Sequence, residues 1–117
     1  MLREGMHWNH FEDSVGLATH WGKCGDVWEI PYRSLLPATL TGVLAAGRCS
    51  SAEGEAWEVS RVIPNAIMTG EAAGTAAALS VAQGILPHEL DVSVLQKDLK
   101  EKSGVPIHFE DLNLARN

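Results

Sequence analysis

Four side chains in the first part of the chain have the chemistry of metal ligands. Two residues separate His7 from His10, and three separate His20 from Cys24. Zinc sites usually arrange such ligands around a tight knuckle, but no Gly or Cys stands between or directly after the first two histidines. Aromatic residues flank both imidazoles, which favours half-buried strand positions for them. The sequence therefore disfavours a metal site at these four residues.

The cysteines Cys24 and Cys49 form neither a disulfide framework nor a C-x-x-C redox pair. The first residues contain no apolar segment typical of a secretory signal. We therefore expect a cytoplasmic protein with reduced thiols. Cys49 is predicted to be a small buried hydrophobic residue.

A second set of reactive groups lies between Arg48 and Pro64, a segment that we predict to be a long polar loop. It carries Glu53, Glu55 and Glu58, and carboxylates are common general acids and bases. Long loops without regular structure are often functional or flexible. Acidic residues in a solvated loop need no catalytic role, however, and the sequence favours this simpler interpretation.

Composition indicates the class of protein that holds these groups. The 117 residues include 9 basic and 15 acidic side chains, so the formal net charge is −6. Hydrophobic residues make up 45% and charged residues 21%, which is typical of globular proteins. The basic residues form no cluster that suits a phosphate backbone, and no apolar run is long enough to span a membrane. We expect a globular protein that binds neither nucleic acid nor membrane.

Short strands are predicted in the first half of the chain. Alternating apolar residues indicate strands at Ser14–Thr19 and Val27–Arg33, joined by a turn at Gly22–Asp26. We expect these strands to pair antiparallel, with Pro31 at an edge or an end. The apolar run Val43–Ala46, closed by a glycine, predicts a further, buried strand.

A Gly- and Ala-rich helix is the most informative element. It is predicted from Asn65 to Gln83 and ends at Gly84. Its only charged residue is Glu71, so we expect the helix to be buried nearly all round. Small residues recur every four positions and share one face that a backbone or a flat ligand could approach closely: Ala66, Gly70, Gly74 and Ala78.

An amphipathic helix is predicted over Val92–Lys102, with Leu95 and Leu99 on its apolar side. Asp91 is its expected N-cap and Gly104 its expected C-terminal stop. Residues 105–117 are predicted to form an irregular surface tail.

Several segments, in order, resemble the C-terminal part of the FAD-dependent oxidoreductase family, in the broad group related to fumarate reductase flavoprotein subunits. These segments are Glu29–Pro37, Val43–Cys49, Arg61–Pro64 and Thr69–Ala78. The resemblance covers roughly residues 11–100. It implies an α/β chain that forms a fragment of a Rossmann-like FAD-binding fold.

The resemblance also implies a division of the chain. Residues 1–36 would be a strand-rich segment on the substrate side, residues 37–104 the C-terminal part of the FAD-binding domain, and residues 105–117 a tail. The whole of 1–117 is then expected to be one C-terminal fragment of a longer enzyme. Its partners would be the missing N-terminal FAD-binding region or a partner subunit, and a small-molecule substrate.

The resemblance further implies roles near FAD for matching positions. The start of the Gly/Ala helix would face the isoalloxazine ring, where negative charge accumulates during hydride transfer. The expected cofactor-binding residues are Ala46, Gly47, Arg48, Arg61, Thr69, Gly70, Gly74 and Thr75. Arg48 could instead form an ion pair on the surface, and Arg61 a salt bridge to Glu55 or Glu58.

The chain also departs from the family pattern. Relatives often have a His where this chain has Gly54 and a Gly where it has Glu58, so no catalytic acid or base can be assigned. The sequence contains no G-x-G-x-x-G motif, which holds the ADP half of FAD. We expect this chain alone to bind FAD weakly or not at all.

An alternative function uses the same elements without a cofactor. In it, the chain is a non-enzymatic acidic binding or assembly module, and the small-residue helix face packs against a partner chain. Self-association through that face is compatible with either function.

Overall fold

Two strands and three α-helices make up the regular structure of residues 1–116. The computed structural model describes residues 1–116. The elements are β1 (Ser14–Thr19), β2 (Val27–Pro31), α1 (Gly54–Ser60), α2 (Ile63–Gln83) and α3 (Val92–Ser103). Short 3-10 turns lie at Tyr32–Leu35, Gly47–Cys49, Pro87–Glu89 and Phe109–Leu112. The predicted α/β class is confirmed.

The two strands pair antiparallel, as predicted, with Thr19 opposite Val27. An irregularity in the pairing lies between Ser14 and Leu17. The second strand ends at Pro31 and turns directly into a 3-10 turn, because proline has no N–H to continue the ladder. All five residues of β2 are buried, so the sheet is covered on both faces.

The core lies between the sheet and the two longer helices. Val15 of β1 and Trp28 of β2 are fully buried, together with Leu95 and Leu99 of α3. Both α2 and α3 pack against β1 and against each other. Burial of large apolar side chains is the main favourable contribution to folding.

The amphipathic helix is confirmed. The Asp91 carboxylate accepts a hydrogen bond from the Ser93 N–H at 2.9 Å, and Gly104 ends the helix in the left-handed conformation with φ 66°. Leu95 and Leu99 face the core, and charged residues lie on the other side.

The Gly/Ala helix forms as predicted, but the prediction that it is buried nearly all round is wrong. It ends at Gly84, which has the expected left-handed φ of 66°. Its buried face is small or polar and consists of Asn65, Thr69, Ala72, Ala76 and Ser80. The opposite face is exposed because no other element of residues 1–116 covers it. We call this face the apolar stripe: Ile63, Ile67, Gly70, Gly74, Ala78 and Val81.

The predicted strand at Val43–Ala46 is wrong. This stretch is irregular, and the sheet of residues 1–116 consists of β1 and β2 alone. A strand needs a neighbour for its backbone hydrogen bonds. Here the Ala45 N–H instead donates to the Leu35 carbonyl at 2.8 Å.

The predicted loop from Arg48 to Pro64 is also wrong, because α1 lies within it. Ala56 and Val59 are fully buried at a spacing of three residues, so they form the inner face of this helix. The charged residues of the segment surround this short apolar pattern and conceal it in the sequence.

The tail differs from the predicted irregular surface segment. Ile107 is fully buried, and its carbonyl accepts a hydrogen bond from the Ser14 hydroxyl at 2.6 Å. A 3-10 turn at Phe109–Leu112 follows. The proposed division at residues 36/37 and 104/105 stays a prediction. Among the helices of residues 1–116, none has both the length and the hydrophobicity to cross a bilayer.

Candidate functional site

Two of the predicted site residues meet at the start of α2. Arg48 belongs to the 3-10 turn Gly47–Cys49, and Arg61 caps the C-terminal end of α1. With Ile63, Ala66 and Ile67, they line an open pocket of about 420 Å³. We call this pocket the arginine mouth.

The two arginines differ in their electrostatic surroundings. Both Nε and Nη2 of Arg61 donate to Oε2 of Glu58, at 2.9 and 2.6 Å. The Arg61 guanidinium also lies over the Trp57 ring, 5.3 Å from its centroid. In residues 1–116 the arginines with salt bridges are at positions 3, 33 and 61. Arg48 is exposed and outside this set, so its charge is the one available in the mouth.

A hydrogen bond fastens the wall of the mouth to α2. The Gly47 N–H donates to the Thr69 hydroxyl at 2.8 Å, and that hydroxyl donates to the Ala66 carbonyl at 2.9 Å. Gly47 has a φ of 61°, and a Cβ there would lie 3.4 Å from the Cβ of Ala66. Glycine therefore suits both the backbone conformation and the close approach. Ala46 directly precedes this turn.

Gly70 and Gly74 lie farther along the apolar stripe, about 10 and 16 Å from the start of α2 at 1.5 Å per residue. A Cβ at either position would meet nothing within 4 Å. Thr75 is half-buried beside the stripe. The structure thus brings Arg48 and Arg61 together, places Gly70 and Gly74 on the exposed stripe, and puts Thr69 on the opposite, buried face. Contact of the eight predicted residues with FAD stays a prediction.

The comparison with known families bears on the whole of this region. A family model described as FAD dependent oxidoreductase matches residues 7–99. The chain belongs to this family. The match runs from the segment before β1 into α3, so it includes the arginine mouth and the apolar stripe. No curated protein and no solved structure matches this chain. The likeness to fumarate reductase flavoproteins stays a prediction.

The three carboxylates at the start of and within α1 of this FAD-dependent oxidoreductase chain are engaged with basic groups. Glu58 pairs with Arg61, and Glu53 lies 3.3 Å from the Nε of Arg3. Glu55 accepts a hydrogen bond from the ammonium of Lys23. This bond is the main cause that lowers the pKa of Glu55. Glu55 therefore acts as an ionised structural partner in this structure.

The four residues first considered as metal ligands do not converge. His20 Nε2 lies 3.5 Å from Glu55, Cys24 is exposed, and the His7 ring packs 5.6 Å from that of Trp28. The expected strand positions of His7 and His10 are wrong, because both precede β1. The expectation that Cys49 is buried is also wrong, since Cys49 is exposed.

Sequence reasoning missed a different group. Within residues 1–116, the three potential ligands that come together are His10, Glu29 and His108. Alternation along β2 predicts that Glu29 points away from the core, yet its side chain has no exposed surface because the tail covers that face. The sequence contains one indication of this cluster, an acidic residue inside a short apolar strand. It contains no indication that the distant His108 joins it.

Proposed function

We propose that this chain is the C-terminal part of an FAD-dependent oxidoreductase, and that the apolar stripe and the arginine mouth face the cofactor and the rest of its binding domain. The observation that supports this proposal most strongly is the exposure of the stripe: Ile63 is 70%, Ile67 65% and Val81 83% exposed. Apolar residues aligned on one exposed helix face usually mark an interface. The family match over this helix supports a flavin domain as the neighbour.

The residues at the start of α2 fit an anionic flavin. A helix N-terminus has free N–H groups and a partial positive charge of about half a unit. Arg48 adds a guanidinium that pairs with no carboxylate among residues 1–116. FAD, when bound, supplies the N5 atom that accepts or donates a hydride. Arg48 and the first turn of α2 would stabilise the negative charge of the reduced ring.

The glycines of the stripe fit a flat neighbour. At Gly70 and Gly74 the helix backbone is bare on its exposed side, so an aromatic ring or a second backbone can lie against it. Thr69 and Gly47 would act indirectly, by holding the turn that carries Arg48. The substrate is proposed to be a small molecule.

The experiment is done on the protein expressed from its own complete gene and purified together with any partner that binds it. Gly70→Trp places a bulky ring on the stripe, whereas Lys97→Trp places the same ring on the exposed side of α3. We expect the first variant to lose most of its bound flavin and the second to keep it, measured as flavin absorbance per protein. Circular dichroism of the 117-residue chain checks that both variants fold.

Retention of full flavin by a folded Gly70→Trp protein would contradict the proposal. The assembly-module alternative rests on the same exposed stripe. It predicts that the native protein contains no flavin, takes up none from added FAD, and loses a partner chain or its own dimer when Gly70 is replaced by Trp.

A further inference from the structure

Glu29 lies in the middle of β2 with its carboxylate withdrawn from solvent. The exposed fraction of its side chain is 0%. Oε2 accepts a hydrogen bond from the Phe11 N–H at 2.6 Å, and Oε1 accepts one from the Phe109 N–H at 3.1 Å. One acid therefore joins the segment before β1 to the tail. Each carboxylate oxygen retains further lone pairs for another ligand.

Two imidazoles occupy the remaining space around this carboxylate. Nδ1 of His10 lies 3.2 Å from Oε2, and Nδ1 of His108 lies 3.1 Å from Oε1. The centroids of the two rings are 4.7 Å apart. The three potential ligand atoms lie within 4.8 Å of one another.

The charge balance of this cluster favours a cation. A buried carboxylate is costly unless a positive charge compensates it. In the described part of the chain, the salt-bridge partners of Glu29 are the two histidines, without a Lys or Arg. Neutral imidazoles contribute no charge but provide the nitrogen donors that zinc prefers.

The distances also suit such an ion. Ligands about 2.0–2.1 Å from a tetrahedral zinc are about 3.3 Å apart, close to the 3.4 and 3.1 Å that separate Nδ1 of His10 and Nδ1 of His108 from the same oxygen, Oε1 of Glu29. His10 is 59% exposed and borders an open pocket of about 210 Å³. A water molecule could therefore complete the coordination from the solvent side.

We propose that His10, Glu29 and His108 bind a divalent transition metal ion of the zinc type. The ion binds at Nδ1 of each neutral imidazole, so the proton that each ring holds toward Glu29 moves to Nε2. The backbone N–H groups of Phe11 and Phe109 orient the carboxylate from the second coordination shell. The site fastens the tail to β2. His108 lies outside the matched residues 7–99, so the family match does not include the whole site.

The test is a calorimetric titration of the chelator-treated 117-residue chain with Zn²⁺ alone. We expect one equivalent to bind. His10→Gln should weaken binding at least about tenfold, since even second-shell changes weaken metal sites about 10–100-fold. This variant should fold, because His10 is largely exposed. His88→Gln, at an exposed histidine outside the cluster, is the matched control and should bind as the parent does.

A second measurement separates this site from the exposed thiols. Replacement of Cys24 and Cys49 by Ser should leave the binding of one equivalent of Zn²⁺ unchanged. Zn²⁺ should also raise the melting temperature of this double variant but not that of His10→Gln. The proposal is overturned if the parent binds no Zn²⁺, if His10→Gln binds it equally well, or if the Ser variant loses it.

Discussion

Helices α2 and α3 pack against the same strand, β1, but their buried faces differ. The inner face of α3 is formed by Leu95 and Leu99, and its outer face is charged. The inner face of α2 includes Asn65, Thr69 and Ser80, while its outer face is the apolar stripe. The usual amphipathic pattern is thus complete within α3, whereas α2 buries small and polar residues and leaves Ile63, Ile67 and Val81 exposed. The contrast indicates that α3 packs only into this chain's own core, whereas the exposed face of α2 is available to pack against another surface.

The largest expected effect tests the core side of this comparison. Leu99→Ala on α3 should lower the free energy of unfolding by about 2–5 kcal/mol, because it leaves a cavity at a residue that is 1% exposed. Urea denaturation of the chain measures this loss. A change below 1 kcal/mol would mean that α3 contributes little to the core.

The next effect concerns the polar inner face of α2. Thr69→Val keeps the shape of the side chain but leaves the Gly47 N–H without its partner. Because this N–H is only half-buried, loss of its partner should lower the free energy of unfolding by about 0.5–1.5 kcal/mol. Thr75→Val, on the same helix but only half-buried, is the control. Equal effects of the two variants would show that the bond to Gly47 adds no stability.

A smaller, pH-dependent effect is expected where the tail meets α3. Partial burial alone would raise the pKa of Asp111, but hydrogen bonds from the Lys100 ammonium and from the N–H groups of His108 and Ile107 outweigh it and lower the pKa to about 2. The ordinary value is 3.8. Because the folded-state pKa is the lower one, the stabilisation is present above about pH 4 and is lost as the pH falls toward 2.

Asp111→Asn should therefore remove part of the stability difference between pH 6 and pH 3, as measured by thermal melts. Glu110→Gln, at an exposed neighbour, is the control and should retain the difference. An unchanged acid dependence in Asp111→Asn would contradict the assignment.

The smallest effect on stability is expected at the stripe. Ile67→Lys changes a residue that is 65% exposed and should alter the free energy of unfolding by no more than about 0.5 kcal/mol. The same change should reduce any self-association of the chain, as measured by sedimentation velocity. A large loss of stability in the monomer would show that the stripe packs within the chain.

The elements that the sequence predicts correctly are determined by residues that are close to one another in sequence. Asp91 and Gly104 delimit α3, and Gly84 ends α2, because caps act over a few positions. The strand at Val43–Ala46 was predicted wrongly, since an apolar run does not show whether a partner strand is present. The four-residue repeat in α2 identified a small-residue face but not whether that face is covered.

The candidate site was predictable to a similar extent. The resemblance to FAD-dependent oxidoreductases predicts a role for Arg48 and Arg61, and the structure places both at the start of α2. The hydrogen bond between Gly47 and Thr69 could not be predicted, because it joins a turn to a residue inside α2 that is 22 positions away. The cluster around Glu29 was missed because its third member lies 79 positions away in sequence.

The contact between Ser14 and Ile107 has a consequence for the order of folding. It joins residues 93 positions apart, and such long-range closures form late because the intervening chain must first be confined. Synthesis proceeds from the N-terminus at about 5–20 residues per second. The β1–β2 hairpin is therefore made seconds before the segment that covers it. Until residues 107–109 leave the ribosome, the Ser14 hydroxyl and the Glu29 carboxylate must remain hydrated, so the nascent hairpin becomes a buried core only after this segment has emerged.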